Sequence, residues 1–147
     1  MPVVDASGDM FTYNVGALVN PVNTVGIMGG GLALLFARKF PAMLGNYQRA
    51  CASGALAIGT VHVWTAADGQ RVVNLPTKRH WKAPSKLEDV SSGVKALSEA
   101  LGRMEVRSVA IPALGCGLGG LEWDDVYPII TSEFVHGPVT AYVFAPQ

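Results

Sequence analysis

Along the chain, short runs of β-branched and aliphatic residues alternate with longer stretches in which apolar positions recur every three or four residues. The short runs, VGALVN (15–20), TVHVW (60–64), RVVNL (71–75), SVAI (108–111) and TAYVF (140–144), read as strands, most of them too apolar to leave one face in water. A sheet built from them needs cover on both sides. Three longer stretches supply helices: 31–54, interrupted at Pro41, then 86–104 and 123–134. In the second, Val90, Val94, Leu97 and Leu101 repeat at helical spacing, and Ser85 with Glu88 has the spacing of a capping box. Asp68-Gly69-Gln70 predicts a hairpin between 60–64 and 71–75, so one pair of strands is antiparallel. The expected fold class is α/β: one three-layer α/β/α domain over residues 1–147, with a mixed, mostly parallel central sheet.

Charge narrows the choice of partners. The 11 basic residues balance the 11 acidic ones, so no global field draws the chain to nucleic acid or to a membrane, and a charged ligand must be held locally. Cys51 and Cys116 have no metal-ligand spacing, and two thiols in an ordinary domain suit a reducing compartment. MPVVDASGDM has no basic, apolar leader character, and no apolar run reaches about 18 residues, so a soluble cytoplasmic protein with no membrane partner is expected.

The candidate chemistry lies in two glycine-rich segments. IPALGCGLGGLEW (111–123) holds the pattern G-x-G-x-x-G at Gly115, Gly117 and Gly120. A dinucleotide-binding unit would need that loop after its first strand and an acid about 20 residues on, at a strand end. Here the pattern sits near the C-terminus and Glu133 falls inside a predicted helix, which excludes that reading. A second segment, PVNTVGIMGGG, places Gly26, Gly29, Gly30 and Gly31 between another strand and another helix. Two such units put two clusters of free backbone N–H groups at the carboxyl edge of one sheet, able to clamp a diphosphate from both sides. Neither carries the lysine and hydroxyl of a triphosphate loop, since Gly31 is followed by Leu32 and Ala33. In KRHWKAPSK, Lys78, Arg79, Lys82 and Lys86, four of the 11 basic residues, are interleaved with His80 and Trp81. That suits phosphate contacts with base stacking on single-stranded nucleic acid, or a solvated loop with Trp81 packed on the domain.

GDMF (8–11), ALVNPVNTVGIMGGGLALLFARKFP (17–41), NLPTKRHW (74–81) and IPALGCGLGGLEW (111–123) together resemble the signature segments of the macrodomain family. The resemblance is to the branch that holds the terminal ADP-ribose protein glycohydrolase and the DarG-type antitoxins that remove ADP-ribose from DNA. NxVNTVGxMGxG with PTKRHW is nearest to the DarG type. It implies that Asp9, with Met10 beside it, takes the adenine amino group. Asn20, Asn23, Thr24, Gly26, Met28, Gly29, Gly30 and Gly31 would line the distal ribose and diphosphate. Pro112, Leu114, Gly115, Cys116, Gly117, Leu118 and Gly119 would close on the other side, Cys116 as a small loop-filling thiol.

By the same resemblance Lys78 attacks the anomeric carbon or steers the departing base, and Asn23 orients the ribose. Arg79, His80, Trp81 and Lys82 would contact the nucleic acid. The implied reaction is hydrolysis of ADP-ribose from a thymidine-type nucleobase in single-stranded DNA, without metal or cofactor, by a monomer. Implied partners are ADP-ribose, ADP-ribosylated single-stranded DNA and a DarT-like toxin system. Two departures bear on this: Gly119 stands where the protein-directed glycohydrolase has an acid, and Gly30 where close relatives often have lysine. A non-catalytic ADP-ribose reader, or a hydrolase of protein-linked ADP-ribose or of ADP-ribose derivatives, stays open.

Overall fold

The structure, a computed structural model, describes residues 2–147. Six strands form one sheet: β1 (Val3–Ala6), β2 (Ala17–Asn23), β3 (His62–Thr65), β4 (Arg71–Lys78), β5 (Ser108–Ile111) and β6 (Thr140–Phe144). Their order is β1-β6-β5-β2-β4-β3, and every neighbouring pair is parallel except β3 with β4. Helices α1 (Gly31–Lys39) and α2 (Met43–Ala52) cover one face, where Phe36, Met43 and Tyr47 pack on Leu18, Val22 and Val72. Helices α3 (Leu87–Met104) and α4 (Trp123–Phe134) cover the other, where Val90, Leu97, Val126 and Ile130 pack on Val19, Val73, Val109 and Ile111. The expected three layers and the one antiparallel pair are therefore present.

Three local expectations need correction. β1 was not among the expected strands, because VVDA is four residues with an acid in it, too short a run to stand out. It survives as an edge strand because Val3 packs on the core while Asp5 faces out and accepts a hydrogen bond from Tyr127 Oη at 2.8 Å. β2 runs on through Pro21 to Asn23, and β4 through Pro76 to Lys78. Past Leu18 the ladder of β2 continues with β4 alone, which leaves room for a residue with no N–H to donate. Lastly, Ser85 does not cap α3: the helix starts after Lys86 without a side-chain cap. Glu88 and Asp89 in its first turn complement the helix dipole instead.

A row of polar side chains crosses three strands. Asn20 on β2, Asn74 on β4 and His62 on β3 are in register. Asn20 Nδ2 donates to Asn74 Oδ1 at 2.9 Å, and Asn74 Nδ2 to His62 Nδ1 at 3.1 Å, which requires the imidazole to be neutral. Burial pushes the His62 pKa below its ordinary 6.5, because the charged ring would lose water. The unfolded chain then takes up a proton that the folded chain does not, so stability should fall as pH drops through 6.5. In His62→Asn, which keeps an acceptor and removes the titration, the loss of melting temperature between about pH 7.5 and about pH 5.5 should be smaller than in the wild type. Equal losses would mean that His62 does not couple to folding.

Candidate functional site

Because β1, β6, β5, β2 and β4 are parallel, their carboxyl ends lie along one edge of the sheet. Each delivers a segment to a single cleft of about 1630 Å³. In strand order these are Gly8–Phe11, Phe144–Gln147, Pro112 with Gly115–Gly119, Asn23 with Gly29–Ala33, and Thr77 with Lys78 and Trp81. The two glycine loops are thus neighbours at the middle, with Asp9 toward one end and Lys78 toward the other. Four strand spacings separate β1 from β4, about 19 Å at the usual interval. Open α/β sheets bind ligands at such an edge.

The first loop is built around Asn23. Its Oδ1 accepts from the N–H groups of Val25 at 3.1 Å and Ile27 at 3.3 Å and from Tyr47 Oη at 2.9 Å, while its Nδ2 donates to Ile27 O at 2.8 Å. The oxygen is fully engaged, so what remains for a ligand is one amide N–H. Tyr47 Oη also lies 2.8 Å from Asn23 O. Burial and the nearby Cys51 thiol raise the phenol pKa well above its usual range, which keeps it a donor. The loop ends at Gly31, in the left-handed region at φ 57°, from which α1 departs with no side-chain cap. The first N–H groups of α1, at Gly31, Leu32 and Ala33, border the cleft and form a ready anion site.

The second loop turns at Gly115, where a Cβ would come within 2.8 Å of Leu121 Cδ1. Cys116 lines the cleft, but burial, and then Glu122, push its thiol pKa up, its Sγ donates to Leu114 O at 3.6 Å, and no histidine lines the cleft among the described residues. It is a poor nucleophile there. Leu118, 73% exposed, reaches toward the first loop: a Cβ on Gly30 would meet its Cδ1 at 3.4 Å, ordinary contact, so a larger residue at 30 fits. Lys78 ends β4 as the register partner of Asn23, and its Nζ donates to Trp81 O at 3.3 Å. Asp9 is the one acidic side chain in the cleft wall, against Arg38, Lys39 and Lys78, among the described residues.

The cleft brings together Asp9, Met10, Asn23, Gly29, Gly30, Gly31, Lys78, Trp81, Pro112, Gly115, Cys116, Gly117, Leu118 and Gly119. Other expected residues stand behind it. Asn20 is 0% exposed in the polar row and also donates to Met28 Sδ at 3.7 Å, so both form the floor under the first loop. Leu114 is core. Thr24 Oγ1 donates to Arg79 O at 2.9 Å, and Gly26 O accepts from Gln48 Nε2, so these two hold loops together. Arg79 reaches Asp89 at 3.1 Å rather than standing free for phosphate. His80 stacks on Trp81 and accepts from Lys82 N, away from the cleft, while Lys82 Nζ lies 4.8 Å from the indole. Sequence reasoning missed Phe11, Arg38 and Lys39 in the wall. The exposed basic pair at the end of the amphipathic LLFARK segment was the available signal for the last two.

This arrangement, two glycine loops and a lysine on one parallel edge, agrees with the family comparison: the macro domain model matches residues 19–130, and the chain belongs to the macrodomain family. Within it, the solved macrodomain of Mycobacterium tuberculosis DarG superposes with a TM-score of 0.94 at 41% identity, covering 99% of this chain and 98% of that one. The DNA ADP-ribosyl glycohydrolase of M. tuberculosis is 42% identical over 145 residues, 96% of this chain and 41% of that protein. Thermosipho africanus DarTG, solved in complex with ADP-ribose, has a TM-score of 0.88 at 34% identity over 95% of this chain and 40% of its own. The chain therefore spans about two-fifths of the length of the curated relatives it matches. Among the described residues no helix is long and apolar enough to cross a membrane.

Tyr47→Phe removes the donor that ties Asn23 to α2 and should cost about 1–2 kcal/mol of stability, the usual loss for a buried hydrogen bond whose partner stays behind. Urea denaturation reads this directly, and an unchanged midpoint would show that the hydroxyl does not hold the loop.

Proposed function

We propose that the chain, as a single macrodomain over residues 1–147, binds ADP-ribose along the cleft and hydrolyses the bond joining its distal ribose to a nucleobase in single-stranded DNA. The observation that carries this is the place of Lys78, at the end of β4, one strand beyond the paired glycine loops and beside Asn23. With the diphosphate between the loops, adenine falls toward Asp9, which has carboxylate capacity left beyond its bond from Phe11 N. The anomeric carbon C1″ falls toward Lys78. The DNA ADP-ribosyl glycohydrolase relative and the ADP-ribose complex of DarTG support the same substrate.

Breaking the ribosyl bond leaves positive charge on C1″ while the electron pair departs with the base. A neutral amine at that point can bond to C1″ as the base leaves, passing its surplus proton to the base, after which water displaces the amine from C1″; as an ammonium it would instead donate a proton to the leaving base while water adds to C1″. Asn23 has one amide N–H to hold a ribose hydroxyl and so fix C1″ before the lysine. Trp81, 48% exposed at the cleft rim with Lys82 beside it, offers a stacking face and a cation for the DNA beyond the scissile bond. Arg79 contributes less, being shared with Asp89. A DarT-like transferase that attaches the ADP-ribose, in the same cytoplasm, is the partner this reading calls for.

Lys78→Ala should lower release of ADP-ribose from an ADP-ribosylated thymidine oligonucleotide on the order of 10²-fold or more. Calorimetric affinity for ADP-ribose should survive, because backbone N–H groups hold the diphosphate. Wild-type turnover in the variant would sink the role of the lysine; no turnover in the wild type would leave a reader of ADP-ribose.

A further inference from the structure

Gly119 lines the cleft, yet a Cβ added there would run into Ser85 Oγ, lie 2.8 Å from Ser85 Cβ and 2.5 Å from the carbonyl oxygen of Gly115. Ser85 is 6% exposed, and among the described residues its hydroxyl has no hydrogen-bond partner. Its N–H donates to Gly119 O at 3.0 Å, and its Cβ lies 3.2 Å from the point where a Cβ of Gly115 would be. Ser85 therefore touches the second glycine loop at both of its tight positions. It also ends the segment that starts at Lys78. That segment is held to the first loop by Thr24 Oγ1 on Arg79 O at 2.9 Å, and to α3 by Arg79 on Asp89 at 3.1 Å.

We propose that Ser85 is a positioning residue, joining the lysine segment to the second glycine loop and, with the Gly115 carbonyl, closing position 119 to any side chain. The inference rests on the reading of the cleft as the ADP-ribose site. Its consequence is a limit on substrate. No carboxylate at position 119 can stand beside the ligand, and one forced there would face the Gly115 oxygen, which already accepts from Leu121 N at 2.9 Å. In this reading Lys78 opens the ribosyl linkage with no acid at position 119.

The test compares wild type, Gly119→Ala, Gly119→Asp and the double variant Ser85→Gly/Gly119→Ala, by ADP-ribose calorimetry and by hydrolysis of an ADP-ribosylated thymidine oligonucleotide and a glutamate-linked ADP-ribosyl peptide. Each single change at 119 should weaken ADP-ribose binding by at least about ten-fold, as overpacking does, and Gly119→Asp should not act on the peptide. The double variant should bind at least about five-fold more tightly than Gly119→Ala, since the loop can settle into the space Ser85 leaves, a non-additive recovery that general destabilisation does not give. If Gly119→Ala alone does not fold, recovered folding of the double variant is the readout. Binding by Gly119→Ala within about two-fold of wild type, absence of recovery in the double variant, or peptide hydrolysis by Gly119→Asp overturns the proposal. A wild type that does not bind ADP-ribose fails the functional reading instead.

Discussion

In a parallel sheet every strand delivers its carboxyl end to the same edge, and here β2 lies between β5 and β4 with that polarity shared. The loops that follow the three strands must then leave the core side by side, in a fixed order, before any side chain is chosen. Both sheet faces are covered by helices, so this edge is where the chain can open. A rigid ladder beneath the loops is what lets short glycine segments hold a defined shape. Without the parallel ladders, Asn23 and Lys78 would not be register partners and the two glycine loops would not face one ligand.

Side chains with hydrogen-bonding capacity near the edge are spent mainly on the scaffold. Asn23, Thr24 and Tyr47 tie the first loop to α2 and to the lysine segment, and Asn20 with Asn74 fills the floor. The loops bring six glycines to the cleft, and these offer backbone alone. Fixed N–H groups need no reorganisation to meet an anion, and they carry partial charge without the desolvation cost of a buried cation. The full positive charges, Arg38, Lys39 and Lys78, stand on the walls. That division explains how a chain with no net charge presents a cationic site.

The layers, the antiparallel pair and the helix break at Pro41 were legible because each follows from local periodicity or from proline and turn chemistry. The two glycine loops were legible as neighbours at one sheet edge for the same reason. Less visible was which polar residue lines the cleft and which is spent inside the fold. Asn20 and Asn23 are three residues apart in one motif, yet one is sealed beneath the loop and the other borders the cleft, because β2 ends at Asn23 while Asn20 lies within the sheet. Arg79 read as a phosphate contact because nothing local reveals that Asp89, on a helix ten residues later, lies against it. Ser85 showed capping spacing but is turned toward a loop more than thirty residues away in sequence.

Leu118 carries a consequence for timing. Its side chain reaches toward Gly30 and Gly31, where added Cβ atoms would lie 3.4 and 3.5 Å from its Cδ1, while most of its surface faces solvent. A molecule entering the cleft between the loops passes this side chain on arrival and again on departure. Few atoms are involved and each atom pair contributes only about 0.1–0.2 kcal/mol, so the leucine itself adds little to the barrier. Residence in the cleft is then governed by the groups beneath the leucine rather than by the leucine itself.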